Sequence, residues 1–155
     1  MTVQVEVQFA TADEALPPAS AFRIWASAAL ADHEGDAEVA VRVTDEAESQ
    51  QLNMEYRGKD KPTNVLSFPF DAPEGVPAEE VGNHLGDLVI CAPVVAREAI
   101  EQKKTPAAHW AHMVVHGVLH LRGFDHEDEA EAQVMEDKER EVLDGLGFSD
   151  PYAVV

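Results

Sequence analysis

The chain has 155 residues, 45% of them hydrophobic, with 11 basic against 30 acidic side chains and a formal net charge of −19. That length and apolar content suit one ordinary core, while a single cysteine excludes an intramolecular disulfide and any all-cysteine zinc site. The N-terminus lacks a signal-peptide pattern, and no uncharged apolar run approaches the roughly 18 residues of a membrane span, so the expectation is a soluble, cytoplasmic protein with no membrane partner.

The elements follow in chain order. Val3, Val5, Val7 and Phe9 alternate as one face of a half-buried strand. Pro17 and Pro18 break the chain, and Ser20 is placed to cap a helix running to about His33, with Gly35 stopping it. Val39, Val41 and Val43 repeat the strand signal. Asp45 and Glu48 have capping-box spacing, which opens a helix to about Tyr56 that ends near Gly58. Val65 to Phe70 reads as a third strand, closed off by Pro69 and a loop over 71–80. Leu88 to Cys91 is a short apolar run that fits a strand buried on both faces. A helix after Pro93 reaches about Lys103, and Thr105 with Pro106 opens another. Residues 127–145 form a last, acidic helix with Val134, Met135, Val142 and Leu143 apolar, whose charge reads as a solvated face. The fold class is α/β (α+β): one domain over 1–155, a small sheet of about four strands with about five packed helices.

Five of the seven histidines fall between positions 109 and 126. H-x-x-x-H alone is common, but His116, His120, Gly123 and His126 complete H-x-x-x-H-x-x-G-x-x-H, a much rarer pattern. Residues four apart stack on a helix, so His116 and His120 can aim at one metal ion. A third ligand eight residues along a straight helix would sit about 12 Å away. The chain must turn instead, and Gly123 allows the turn that returns His126. Three neutral imidazoles leave zinc one open tetrahedral position, the arrangement of a catalytic site. His112 shares the face of His116 and reads either as a group beside the substrate or metal ligands, or as plain packing. His109 reads as packing, and Asp125 either orients an imidazole or shapes the loop.

In metzincin proteases, which share this spacing, a glutamate follows the first histidine as general base. Here that position is Gly117, so peptide hydrolysis loses its proton acceptor. A second cluster stands apart from the histidines. Arg57, Lys59 and Lys61 place three of the eleven basic residues within five positions. In so acidic a chain they suggest an anion site, Arg57 offering the fork of donors that matches phosphate.

His116-Gly117-Val118-Leu119-His120-Leu121-Arg122-Gly123-Phe124-Asp125-His126, preceded by Ala111 to Val115, resembles the signature of the bacterial YbeY endoribonucleases. Tyr56-Arg57-Gly58 followed by Pro62 to Pro69 is similar to their other hallmark, and Leu85 to Ile90 to a third. The likeness covers roughly residues 40–150. It departs at Arg122, where an apolar residue is common, a change expected to touch packing or surface charge only.

The resemblance implies a single-strand-specific, zinc-dependent endoribonuclease that acts in 3′-end maturation of 16S ribosomal RNA and in ribosome quality control. Its partners would be single-stranded RNA, the small ribosomal subunit and associated assembly factors. By match of motif, His116, His120 and His126 would hold one Zn2+ per chain and Arg57 would be the catalytic cation. Lys59 and Lys61 are expected to contact substrate, and His112 is the first candidate for proton transfer. The charge of −19 stands in tension with RNA binding. Two rival readings remain: a zinc hydrolase of a small substrate, and a ribosome-assembly factor whose zinc is structural.

Overall fold

The computed structural model describes residues 2–12, 15–70, 75 and 83–153. Its elements are β1 (Val3–Ala10), α1 (Ala19–Ala29), β2 (Ala37–Thr44), α2 (Glu46–Arg57), β3 (Val65–Pro69), β4 (His84–Cys91), α3 (Ala92–Glu101), α4 (Pro106–Leu121) and α5 (Glu129–Gly145). This is a small α/β domain of the expected class, with a four-stranded sheet ordered β1-β2-β4-β3. The first three of those strands run parallel, and β3 pairs antiparallel along the outer side of β4. Among the described residues, no helix is long and apolar enough to cross a membrane.

Position in the sheet decides how each alternating strand is buried. Val39, Val41 and Val43 on inner β2 are at most 2% exposed. The same pattern on edge strand β1 leaves its valines only half-buried and Phe9 exposed. Phe9 still meets Phe22 of α1 edge to face, and Phe22 in turn contacts Trp25 and Trp110 at centroid distances of 5.6 and 5.5 Å. Phe22 is fully buried at this aromatic junction, where truncation to alanine costs about 3–5 kcal/mol.

Helix α4 lies through the middle of the core. Eleven of its 16 residues are buried, so it is apolar nearly all round, as a central helix must be. Thr105 caps it as expected, accepting from the Ala108 N–H at 3.2 Å. Gly117 is where α4 meets β4. A Cβ there would stand 2.7 Å from Leu88 Cδ2, and Leu88 is itself fully buried. The position that holds a glutamate in metzincins therefore has no room for a side chain.

Several local expectations are corrected. Pro18, not Ser20, is the N-cap residue of α1, which ends at Ala29 rather than near His33. The Asp45–Glu48 capping box does not form, because Asp45 accepts from Thr11 and Glu48 pairs with Arg42 at 2.7 Å. Strand β4 begins at His84, four residues before the apolar run, since polar residues at a sheet end can still join the ladder. Strand β3 stops at Pro69, one residue short of the expected end. The expected loop over 71–80 lies outside the described residues except for Gly75.

Candidate metal centre and its cleft

His116 and His120 occupy successive turns of α4, with ring centroids 4.7 Å apart. The helix then reverses as the glycine requires. Gly123 adopts φ 98°, and the N–H groups of Gly123 and Phe124 donate to the carbonyls of His120 and Leu119, each at 3.0 Å. Phe124 packs onto the core while Arg122, the family departure, donates to Ala29 O and Asp32, fastening the end of α4 to α1. The reversal brings the His126 ring to 4.9 Å from His120 and 5.7 Å from His116, measured between centroids. Asp125 Oδ1 accepts from the His126 backbone N–H at 2.7 Å, so this carboxylate shapes the loop. One nitrogen from each of the three rings lies within 4.8 Å of the other two, a set able to hold a metal ion. Burial, then the neighbouring His116 and His126 rings, lowers the His120 pKa, which favours the neutral, ligating form.

A residue outside the motif completes the centre. Glu139 of α5 is fully buried, and its Oε1 lies 2.5 Å from His116 Nδ1. A carboxylate on Nδ1 holds the proton there and leaves the Nε2 lone pair for a metal, the arrangement that commonly orients ligating histidines. The Tyr152 hydroxyl donates to the other carboxylate oxygen, and His112 Nε2 lies 3.5 Å from it. Burial opposes ionisation of Glu139, yet its contacts with His112, His116 and Tyr152 outweigh it and hold the pKa down to about 2. The solvated reading of the last helix is thus overturned at this position. The missed signal was spacing: Met135, Glu139, Val142 and Leu143 fall at i, i+4, i+7 and i+8, which places the glutamate inside the apolar stripe.

The three histidines open onto a cleft of about 670 Å³ whose opposite wall is strand β3 and the end of α2. Arg57 lines this cleft, with Tyr56, Asn64 and Ser67. Two motifs some sixty residues apart in sequence therefore face each other. Gly58 ends α2 in the left-handed region at φ 70°, and the chain returns along the helix it has just left. Ser49 Oγ and the Thr63 backbone are 3.0 Å apart, and Asn53 Nδ2 donates to Lys61 O at 2.8 Å. These buried polar residues of α2 hold the loop that presents Arg57. Arg57 makes no hydrogen bond or ion pair among the described residues, which leaves its guanidinium available. Lys59 and Lys61 are exposed on the same loop and do not line the cleft.

His112 and His109 lie on the inner side of α4 and do not line this cleft. His109 is 1% exposed, and its Nε2 lies 2.9 Å from Glu98. Glu98 also accepts from Asn64 at 3.1 Å, tying α3 and α4 to the start of β3.

A family model described as Endoribonuclease YbeY matches residues 8–147. Proteins named Endoribonuclease YbeY are similar along most of their length. That of Alkalilimnicola ehrlichii is 61% identical over 97% of this chain and 91% of its own. That of Stenotrophomonas maltophilia is 56% identical over 97% and 94%. The solution structure of TM1509 from Thermotoga maritima resembles this fold with a TM-score of 0.57 and 25% identity, over 96% of this chain and 99% of that one.

Proposed function

Since the chain belongs to the YbeY endoribonuclease family, we propose that it is a single-strand-specific, zinc-dependent endoribonuclease, one metallo-endoribonuclease domain over residues 1–155. The observation that carries this reading is the shared cleft: an unpaired arginine on one wall and a three-imidazole centre on the other. An all-nitrogen donor set with one ring oriented by a buried carboxylate suits zinc, and His116, His120 and His126 would hold one ion per chain. When bound, zinc supplies Lewis-acid activation of water and of a phosphoryl oxygen.

The chain's own residues do the rest. Arg57 binds the scissile phosphate through its planar fork and stabilises the charge that develops there. Tyr56, 66% exposed at the cleft rim and set edge to face on Phe68, offers a ring face to an unpaired base. A duplex has no free base face to offer it, which favours single strands. The biological role we assign is 3′-end maturation of 16S ribosomal RNA and ribosome quality control in the cytoplasm, at the small ribosomal subunit with its assembly factors. Lys59 and Lys61 then meet the strand outside the cleft.

Cleavage of single-stranded RNA by untagged protein, with and without added zinc, tests the reading. Wild type should cut only with zinc and spare duplex RNA, and a folded His120→Ala variant should not cut. Turnover of small phosphodiesters or esters without RNA cleavage would establish the small-substrate hydrolase instead. Unfolding of every ligand variant would establish a structural zinc.

A further inference from the structure

A second cavity of about 360 Å³ adjoins the metal cleft and shares Asn64, Val65 and His116 with it. We propose that this cavity is a nucleotide subsite, which seats the unit of an RNA strand next to the scissile phosphate with Lys104 as its phosphate contact. The proposal rests on the endoribonuclease reading and names how that site holds its substrate.

The cavity is lined for a polar ligand that the protein itself does not supply. His112 is 7% exposed and lines it; its Nδ1 has no hydrogen-bond partner, and its Nε2 has only the Glu139 carboxylate at 3.5 Å. His109 Nδ1, on the same wall, is also unpartnered. Buried ring nitrogens normally find partners, so the unpartnered Nδ1 atoms of His112 and His109 at one cavity mark the place of a ligand with donors and acceptors of its own. A base edge or a ribose hydroxyl has both. Gln102 adds an amide, and the Tyr152 ring, edge to face with His112 at 5.4 Å between centroids, adds an aromatic surface.

Lys104 gives the cavity its charge. Lys103, the one described non-glycine residue with positive φ (56°), ends α3 in the left-handed region. The Lys104 N–H then donates to Ala99 O at 2.9 Å, and its half-buried side chain lines the cavity. Burial pushes the pKa of this ammonium down against the pull of Glu139, Glu98 and Asp150. Those carboxylates are already engaged: Glu139 by His116 and Tyr152, Glu98 by Asn64 and His109, Asp150 by Arg140.

The pairing of all eleven basic residues points the same way. Arg42, Arg97, Arg122, Lys138 and Arg140 are ion-paired with carboxylates, and Arg23 donates to Val5 O. Arg23 thus has no ion pair among the described residues, and neither have the other five, Arg57, Lys59, Lys61, Lys103 and Lys104, which also make no side-chain hydrogen bond there. Of these, Arg57 lines the metal cleft and Lys104 the second cavity, whereas Lys59, Lys61 and Lys103 line neither. An acidic protein thereby keeps an unpaired cation at each of two adjoining cavities, Arg57 at one and Lys104 at the other.

The test is steady-state cleavage of a short single-stranded RNA by zinc-loaded Lys104→Ala, Lys104→Arg and Lys103→Asn. Lys104→Ala should raise KM about tenfold with kcat within twofold, and lower the salt slope of log KM by about 0.7, one single-strand phosphate contact. Its zinc content should equal that of wild type. Lys104→Arg should recover most of the KM, and Lys103→Asn, which removes a neighbouring charge outside the cavity, should match wild type. An unchanged KM and salt slope in Lys104→Ala would overturn the subsite while the endoribonuclease reading stands. An equal effect of Lys103→Asn would also overturn it, showing a diffuse field rather than a seat. Wild type that cleaves no RNA would overturn both.

Discussion

Helix α4 carries four histidines, His109, His112, His116 and His120, and its two halves use them in opposite ways. In the first half, His109 and His112 are buried beside the carboxylates Glu98 and Glu139. In the second half, His116 and His120 look into an open cleft and meet a third imidazole from a loop. Residue type is the same in both halves, and the spacing, three residues in one and four in the other, keeps each pair on one helix face. The difference comes from what lies against each turn: α3, Tyr152 and Glu139 beside the first half, the open cleft walled by strand β3 beside the second. His116 sits at the boundary and belongs to both, with Nδ1 on the buried carboxylate and its ring lining the cleft. A histidine is placed to hold a metal here by sharing an open cleft with two others, and one turn earlier the same residue type is buried beside a carboxylate.

Substitutions can break this contrast, beginning with the largest effect. His120→Ala should abolish zinc binding and RNA cleavage while circular dichroism and melting remain near wild type; elemental analysis and a cleavage assay check it. Retention of stoichiometric zinc would show that the cleft half is not the metal half. Arg57→Ala should lower turnover by about 10²-fold with zinc and melting temperature unchanged, and Arg57→Lys should recover only part, because a point charge cannot reproduce the fork. Full activity in Arg57→Ala would remove the phosphate from that wall.

Glu139→Gln probes the boundary itself. The amide can still accept from His116 but carries no charge, so zinc affinity, measured by chelator competition, should fall by about 10- to 100-fold. An unchanged affinity would mean that the carboxylate only packs. His109→Ala should do the reverse. It should cost about 1–3 kcal/mol in denaturant unfolding, because Glu98 loses a partner, and leave zinc content intact. Zinc loss there would erase the distinction between the two halves.

The smallest expected effect concerns a surface pair. The hydrogen bond from Lys138 is the main influence lowering the pKa of Asp32, with Arg122 adding to it. A carboxyl whose folded pKa lies below its unfolded value of 3.8 stabilises the fold above about pH 5 and loses that contribution as pH falls through the folded value. Asp32 is largely exposed and screened by salt, so Asp32→Asn should cost under about 1 kcal/mol at pH 7 and nothing at pH 2. Unfolding curves at the two pH values decide it.

The apolar periods were enough to place four strands and five helices in order, because alternation and the 3.6-residue stripe are local properties. Thr105 and Gly123 declared a helix start and a helix stop for the same reason: a cap acts within its own turn. The histidine trio was legible because all its members lie within one helix and the loop that follows. Where a signal depended on a competing partner, the sequence misled. The Asp45–Glu48 capping box has the right spacing, yet Arg42 of β2 and Thr11, just past the end of β1, claim its members.

What only the tertiary structure decided involves residues distant in sequence and close in space. No local pattern tells that Arg57 faces His120 across a cleft, because the order β1-β2-β4-β3 has to bring β3 beside α4 first. Nor does acidity alone tell that Glu139 is the one carboxylate of α5 turned wholly inward. Its burial is tolerated because the His116 ring and the Tyr152 hydroxyl satisfy both its oxygens, and those partners come from 23 residues before and 13 after it. The three clustered imidazoles could be read along the chain, since a helix turn is a short-range object. The groups that orient them could not, since a buried charge is stable only where the folded chain supplies its partners.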